Sequence, residues 1–245
     1  MAKDRFEGKV ILITGGNSGI GLATAQRLLA EGARVILTGR DGDKLKKAAE
    51  GLGKNAEGIL VDISKLSDIE ALYAQIKAKY GKLDGLFANA GIAYMEPLEQ
   101  VTEKHVDALM DTNVKGTFFT LQKAIPLFAP GAAVVLNASV ADTKGNPAMA
   151  FYGATKAAVR SMARTFSTHL LAQRVRVNVV SPGPIETPIW DGVDEAGLSA
   201  RKQLVPSKRF GTPEEVAGAV AYLLSDESAY VIGAELFVDG GVSQL

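Results

Sequence analysis

Residues 9–30 read KVILITGGNSGIGLATAQRLLA. Positions 10–13 are continuously apolar and mostly β-branched, the composition of a strand buried on both faces. Four glycines within residues 14–21 (Gly15, Gly16, Gly19 and Gly21) break that run. From Leu22 the apolar positions return at helical spacing, at Ala25, Leu28 and Leu29, among good helix formers. Strand, glycine turn and helix in that order make a phosphate cradle: glycines let the backbone turn tightly and come close to a ligand, and free amides at the helix start face an anion. The glycines fall as T-G-x-x-x-G-x-G rather than G-x-G-x-x-G. The same stretch is also compatible with a plain strand-to-helix turn.

Outward from this stretch the chain alternates. Apolar runs at 33–38, 56–61, 83–88, 132–138, 175–181 and 236–238 read as strands. Helical patterns lie at 43–51, from 64 or 65 to 80, from 102 to about 128, from 150 to about 173 and at 213–225. Residues 185–210 read as irregular. Strands alternating with helices predict an α/β fold: one doubly wound parallel sheet of about seven strands with helices on both faces. No linker, repeat or low-complexity segment divides residues 1–245, so a single domain is expected.

The 245 residues are 47% hydrophobic and 22% charged, ordinary globular usage. Basic and acidic residues balance at 27 each, which argues against a nucleic-acid partner. There is no cysteine, so disulfides, thiolate metal sites and a cysteine nucleophile are excluded. His105 and His169 lie on separate predicted helices, and no metal site is expected. The start, MAKDRFEGK, lacks an apolar leader, and no apolar stretch approaches the ~18 residues of a membrane span. A cytoplasmic protein without a membrane partner is the expectation.

Ligands in doubly wound sheets sit beyond the carboxyl ends of the strands. The segment 14–21, Gly39 with Arg40, Asp62, Asn89-Ala90-Gly91, Ser139 and Pro182-Gly183 all fall at such ends, and would line one crevice. Tyr152 and Lys156, four apart on a predicted helix, share a face. A free tyrosine titrates near ~10, and an adjacent ammonium favours the phenolate, bringing it toward the range useful for acid–base chemistry. Ser139 could hold a substrate oxygen. Taken singly, a Tyr-x-x-x-Lys pair is also ordinary helix surface and a strand-end serine is commonplace.

Together these residues resemble the short-chain dehydrogenase/reductase family. The resemblance covers essentially the whole chain. It rests on Thr14-Gly15-x-x-x-Gly19-x-Gly21, Asn89-Ala90-Gly91, Asn113, Ser139, Tyr152-x-x-x-Lys156, Pro182-Gly183 and the ending RFGTPEEVAGAVAYLLSDESAYVIGAELFVDGG. The resemblance implies hydride transfer between a nicotinamide cofactor and a small-molecule carbonyl or alcohol, without a metal. It assigns proton transfer to Tyr152, ribose binding and tuning of Tyr152 to Lys156, and carbonyl orientation to Ser139. Asn113 would position a water linking Lys156 to solvent; a helix residue bonding backbone is the other reading. Cofactor contacts would come from Gly15, Asn17, Ser18, Gly19, Ile20, Gly21, Gly39, Arg40, Asp62, Ile63, Asn89, Ala90, Gly91, Tyr152, Lys156, Pro182, Gly183, Ile185 and Thr187. Asp62 would accept from the adenine amine, or cap the following helix, or both.

The end of the second strand bears on the choice of cofactor. An acid there suits a ribose 2′-hydroxyl, an arginine a 2′-phosphate. Here Gly39 stands where NAD-preferring relatives carry the acid, and Arg40 offers a planar fork. Asn17 is placed to add a hydrogen bond, and Asp41 reads as a helix-start residue. NADP(H) is therefore expected over NAD(H), although Ser18 stands where some relatives carry a second basic residue. Residues 185–210 are expected to form a substrate lid. Its Ile185, Ile189, Trp190, Leu198, Leu204 and Val205, with Tyr94 and Met95 nearby, suit apolar or bulky ketones, or else anchor the lid to the core. The chain is also similar to bacterial NADPH-dependent alcohol dehydrogenases that accept such ketones. Reduction of 3-oxoacyl groups on an acidic carrier protein, docking at Lys123, Arg160 or Arg164, is a second enzymatic reading, and a nucleotide sensor without turnover a third. By resemblance, the helices at 102–128 and 150–173 would pair subunits into a homotetramer.

Overall fold

Every apolar run becomes a strand, and all of them join one parallel sheet. The computed structural model describes residues 4–245. In chain order the elements are β1 (Val10–Thr14), α1 (Gly19–Ala30), β2 (Arg34–Gly39), α2 (Gly42–Leu52), β3 (Ala56–Leu60), α3 (Leu66–Tyr80), β4 (Leu83–Ala88), α4 (Glu103–Leu109), α5 (Thr117–Ala124), β5 (Phe128–Asn137), α6 (Ala150–Leu170), β6 (Arg176–Pro182), α7 (Glu195–Leu204), α8 (Pro213–Leu224) and β7 (Glu235–Val238). The strand order is β3-β2-β1-β4-β5-β6-β7. The chain runs outward from β1 to β3, then returns to build the other half from β4. The reversal falls between β1 and β4, where Ile11 pairs with Val35 on one side and Gly85 on the other. Such a switch point opens a crevice above the strand ends.

Alternate residues of each strand enter opposite layers, which is why the runs are apolar throughout rather than alternating. Leu12, Ile36, Leu86 and Val134 face α3, α5 and α6, meeting Leu72, Ile76, Leu121, Val159 and Phe166. Ile11, Ile13, Val35, Leu37 and Val135 face α1, α2 and α8, meeting Leu28, Leu45, Val216 and Val220. Burying each such side chain contributes about 1.5–3 kcal/mol. Where β6 carries polar residues they are satisfied. Arg176 donates to Leu223 O at 3.0 Å, Ser225 O at 2.9 Å and Ser228 Oγ at 2.8 Å. Asn178 bonds Val231 O at 2.8 Å and the Ala234 amide at 3.0 Å.

Two elements differ from the sequence reading. The expected continuous helix from 102 to about 128 is interrupted by a π-helical stretch, Met110–Gly116, between α4 and α5, and a 3₁₀ turn follows at Ile125–Leu127. Gly116 sits there against the β3–α3 connection: a Cβ at this position would lie 2.7 Å from Ile63 O. The segment 185–210 is not irregular. It contains a 3₁₀ turn, Pro188–Trp190, and the helix α7, whose N-cap Asp194 accepts from the Gly197 amide at 2.8 Å. None of α7 is buried, so it has no apolar stripe for periodicity to detect.

Candidate active site

The strand ends open into one crevice of about 1660 Å³, large enough for a dinucleotide and a further small molecule. Of the residues singled out above, Gly15, Asn17, Ser18, Gly19, Ile20, Gly39, Arg40, Asp62, Ile63, Asn89, Ala90, Gly91, Ser139, Tyr152, Lys156, Pro182, Gly183, Ile185 and Thr187 line it. Gly21 and Asn113 stand behind the wall. Gly21 exists for packing: a Cβ there would come within 2.3 Å of Gly15 O and 2.7 Å of Asn89 Nδ2. Gly15 and Gly19 adopt φ of +64° and +50°, which favour glycine. Asn89 fixes the loop, its Nδ2 donating to Thr14 O and Gly15 O, both at 3.0 Å, while Thr14 Oγ1 accepts from the Asn89 and Ala90 amides at 3.0 Å.

The start of α1 is built to receive an anion. Its N-cap Ser18 makes no side-chain cap bond and no acid lies in its first turn, so its leading amides have no side-chain acceptor. At the rim of β2, a Cβ on Gly39 would lie 2.7 Å from Asn17 Oδ1. The Asn17 amide thus occupies space that an acidic side chain at position 39 would need. Arg40 is exposed at the same rim. Asp41 caps α2, accepting from the Lys44 amide at 3.1 Å. Asp62 accepts from the Ser64 amide at 3.0 Å and hydroxyl at 2.7 Å through Oδ1 alone; the cap position of α3 belongs to Lys65. Burial works to raise the Asp62 pKa, but the Ser64 bonds, with Lys65 and Arg40, outweigh it and lower it.

The side of the crevice with Ser139, Tyr152 and Lys156 is carried by the end of β5 and by α6. Lys156 is 4% exposed; its Nζ donates to Asn137 O at 2.7 Å and lies 5.6 Å from the centroid of the Tyr152 ring. Ser139 begins the 3₁₀ turn Val140–Asp142, its Oγ accepting from the Ala141 amide at 3.2 Å, and it acts to lower the Tyr152 pKa. Asn113, 1% exposed on the π-helical stretch, bonds both Ile92 N and Ile92 O at 2.9 Å and donates to Thr155 Oγ1 at 3.1 Å. A Cβ on Gly91 would lie 3.1 Å from Asn113 Oδ1 and 3.4 Å from Lys156 Nζ, so both side chains close on that glycine.

The expected acidification of Tyr152 is reversed here. Desolvation pushes Tyr152 up to about 12, against the lowering effect of Ser139, and pushes Lys156 down to about 8. The ammonium is directed at a backbone carbonyl, and burial weighs on the charged form of each group. Sequence reading missed Asn137, whose Nδ2 donates to Asn89 Oδ1 at 2.9 Å and whose carbonyl holds Lys156. The available signal was a lone amide closing an apolar strand.

Trp190 does two things that were posed as alternatives. It lines the crevice, and it is anchored by Nε1 donating to Ile185 O at 2.8 Å, by stacking on Phe210 at 5.1 Å and by the Arg201 guanidinium at 5.7 Å. Tyr94, Met95, Ile189 and Leu204 also face the crevice. Among the described residues no cluster suited to a metal ion occurs, and no helix is long and apolar enough to cross a membrane.

Comparison with known proteins agrees with this geometry. Residues 15–243 match the family profile described as Enoyl-(Acyl carrier protein) reductase. The chain is 40% identical to Oxidoreductase asL5 of Sarocladium schorii, covering 100% of this chain and 99% of that protein. It is 38% identical to the 3-oxoacyl-[acyl-carrier-protein] reductase FabG of Thermotoga maritima, covering 97% and 99%. Among solved structures it resembles a 3-ketoacyl-(acyl-carrier-protein) reductase from Brucella melitensis complexed with NADH, with TM-score 0.90 and 32% identity over 97% and 99% of the two chains. The chain belongs to the short-chain dehydrogenase/reductase family, and it is an oxidoreductase of that type.

Proposed function

We propose that this chain is an NADP(H)-dependent reductase of ketones carrying apolar or bulky groups, acting in reverse on the corresponding secondary alcohols. The observation that carries the reading is the convergence of Ser139, Tyr152 and Lys156 at one end of a crevice whose other end is an uncapped helix start. That start suits a pyrophosphate, and Asn17 with Arg40 suits a 2′-phosphate. When bound, the nicotinamide cofactor supplies or accepts the hydride. Gly15, Ser18, Gly19 and Ile20 would hold its phosphates, Asp62 and Ile63 its adenine, and Asn89, Ala90, Gly91 and Lys156 its second ribose. Pro182, Gly183, Ile185 and Thr187 would hold the nicotinamide end.

Ser139 orients the carbonyl oxygen with its hydroxyl, and Tyr152 donates the proton that the oxygen takes up. Burial raises the Tyr152 pKa, so the phenol keeps its proton throughout the neutral range, the form that donates in reduction. Lys156, held by Asn137 O, restores the proton, and Asn113 holds the backbone at Ile92 beside it. The lid, 185–210, brings Ile189, Trp190 and Leu204 over the substrate and excludes water. Four copies are expected to assemble through α4, α5 and α6, on which Phe118 and its neighbour Phe119 form a partly exposed aromatic pair; light scattering of the purified protein tests this.

The reductase named among its relatives supports a second reading, the reduction of 3-oxoacyl groups on a carrier protein. Of the basic residues put forward for docking, Lys123 pairs with Glu70 at 2.7 Å and Arg160 with Glu235 at 3.5 Å, and neither they nor Arg164 line the crevice. Steady-state kinetics with an aryl ketone and with a 3-oxoacyl thioester, each with NADPH and NADH, separates the readings. Higher kcat/KM for the aryl ketone with NADPH is expected. A preference for the thioester moves the assignment to the second reading, and binding of NADPH without reduction of any carbonyl in a broad panel makes the chain a sensor.

A further inference from the structure

Behind Ser139 and Tyr152, outside the crevice lining, two carboxyl groups meet. Asp142 closes the 3₁₀ turn that Ser139 begins, and its side chain has no exposed surface. Glu235 opens β7; its Oε1 accepts from Ser181 Oγ at 2.7 Å and its Oε2 from Arg160 Nη1 at 3.5 Å. The Arg160 guanidinium stands beside both acids, its Nε 4.0 Å from Asp142 Oδ2 and its Nη1 3.5 Å from Glu235 Oε2. Two carboxylates offer only acceptors, so a direct bond between them requires a proton on one of them. The surroundings of Asp142 point to such a proton. Among the described residues neither of its oxygens meets an N–H or O–H donor, and Arg160 Nε approaches Oδ2 only to 4.0 Å. A buried carboxylate without a donor is costly, whereas a carboxyl sharing a proton with its neighbour is satisfied.

We propose that Asp142 is a positioning residue that shares a single proton with Glu235 beneath the Arg160 guanidinium, and that this shared proton sets the charge felt by Tyr152 and Lys156 and ties β7 to the turn carrying Ser139. The inference rests on Tyr152 as the proton carrier. The charged and titratable groups facing Asp142 are Arg160, Lys156 and Tyr152 from α6 and Glu235 from β7, and the nearby strand β6 contributes only the Ser181 hydroxyl, bonded to Glu235. Burial, then Glu235, hold the Asp142 carboxyl well above the usual carboxylate range, against Arg160 and Lys156. Once ionised, Asp142 raises both Tyr152 and Lys156. Loss of the shared proton in alkaline solution therefore keeps the proton on Tyr152, extending the range over which it can donate.

Two measurements on the purified full chain test this without turnover. In infrared difference spectra at neutral pH, a protonated-carboxyl band is expected in the wild type and absent in both Asp142→Asn and Glu235→Gln, because each introduced amide donates permanently to the remaining carboxylate. In near-ultraviolet phenolate titrations, with Tyr152→Phe subtracted in each background, Asp142→Asn is expected to lower the Tyr152 midpoint by about one pH unit. Glu235→Gln keeps the Asp142 charge and leaves the midpoint near that of the wild type. A merely structural role would move both variants alike. Absence of the band, or equal displacement of the two midpoints, overturns the proposal. If Asp142→Asn does not fold, the wild-type band and its loss in Glu235→Gln decide alone. Should both measurements come out as stated while Tyr152→Phe retains full turnover, the shared proton stands and the catalytic assignment of Tyr152 fails.

Discussion

Burial acts on Tyr152 and Lys156 in opposite senses, because desolvation penalises the charged form of each: phenolate in one case, ammonium in the other. The stability consequence has a definite sign for Lys156. Its folded pKa, about 8, lies below the unfolded value of ~10.4, so between those values the unfolded chain binds more protons and stability rises with pH. Thermal midpoints of wild type and Lys156→Met should therefore differ most in favour of the variant below about pH 8, with the gap closing toward about pH 10.4. Tyr152→Phe keeps the ring beside Lys156 and removes only the hydroxyl, so kcat should fall by about 10²–10⁴ while the dissociation constant for NADPH stays within a few-fold. At the opposite end of the crevice, Arg40→Asp replaces the fork by a like charge for a 2′-phosphate. NADPH should weaken by roughly 10–100-fold while NADH is little affected, read from KM for each.

At the scale of elements, the β1–α1 turn is the tightest junction in the site. Gly21 lies so close to Gly15 O and Asn89 Nδ2 that a methyl group must push the glycine loop off the Asn89 side chain. Gly21→Ala should cost about 1–3 kcal/mol of stability and abolish NADPH binding, measurable by calorimetry on one sample. The segment 185–210 behaves differently. Helix α7 buries none of its residues, and the segment is held mainly at Trp190, Val205 and Phe210. That weak anchorage explains why its helix was invisible to periodicity. The π-helical stretch was equally hidden, since its residues Met110–Gly116 have ordinary helix-compatible composition and only their neighbours set the wider turn.

Across the whole molecule the two halves of the sheet are closed by the C-terminal segment, and Arg176 fastens it. Its three hydrogen bonds run from β6 to the end of α8 and the turn after it. Arg176→Met leaves two carbonyls without a charged donor, which should cost about 3 kcal/mol. At this chain length that lowers Tm by roughly 6–12 °C, checked by thermal denaturation. The same segment delivers Glu235 to Arg160, which also stands beside Asp142, so the C-terminal strand reaches the neighbourhood of the turn carrying Ser139 as well as completing the sheet.

The apolar runs and glycine turn in the sequence were enough for the parallel sheet, most of its helices and the strand ends that carry Ser139, Asn89 and the glycine loop. Those features depend on local composition: a strand buried on both faces must be apolar throughout, and a phosphate turn must be rich in glycine. What composition could not supply was the neighbourhood of each polar group. The Asn137 carbonyl under Lys156, the Asn17 amide at Gly39 and the Arg160 guanidinium beside both Asp142 and Glu235 each join residues far apart in the chain. Their protonation and alignment follow from burial and from partners that strand order alone brings together, and tertiary packing decided them.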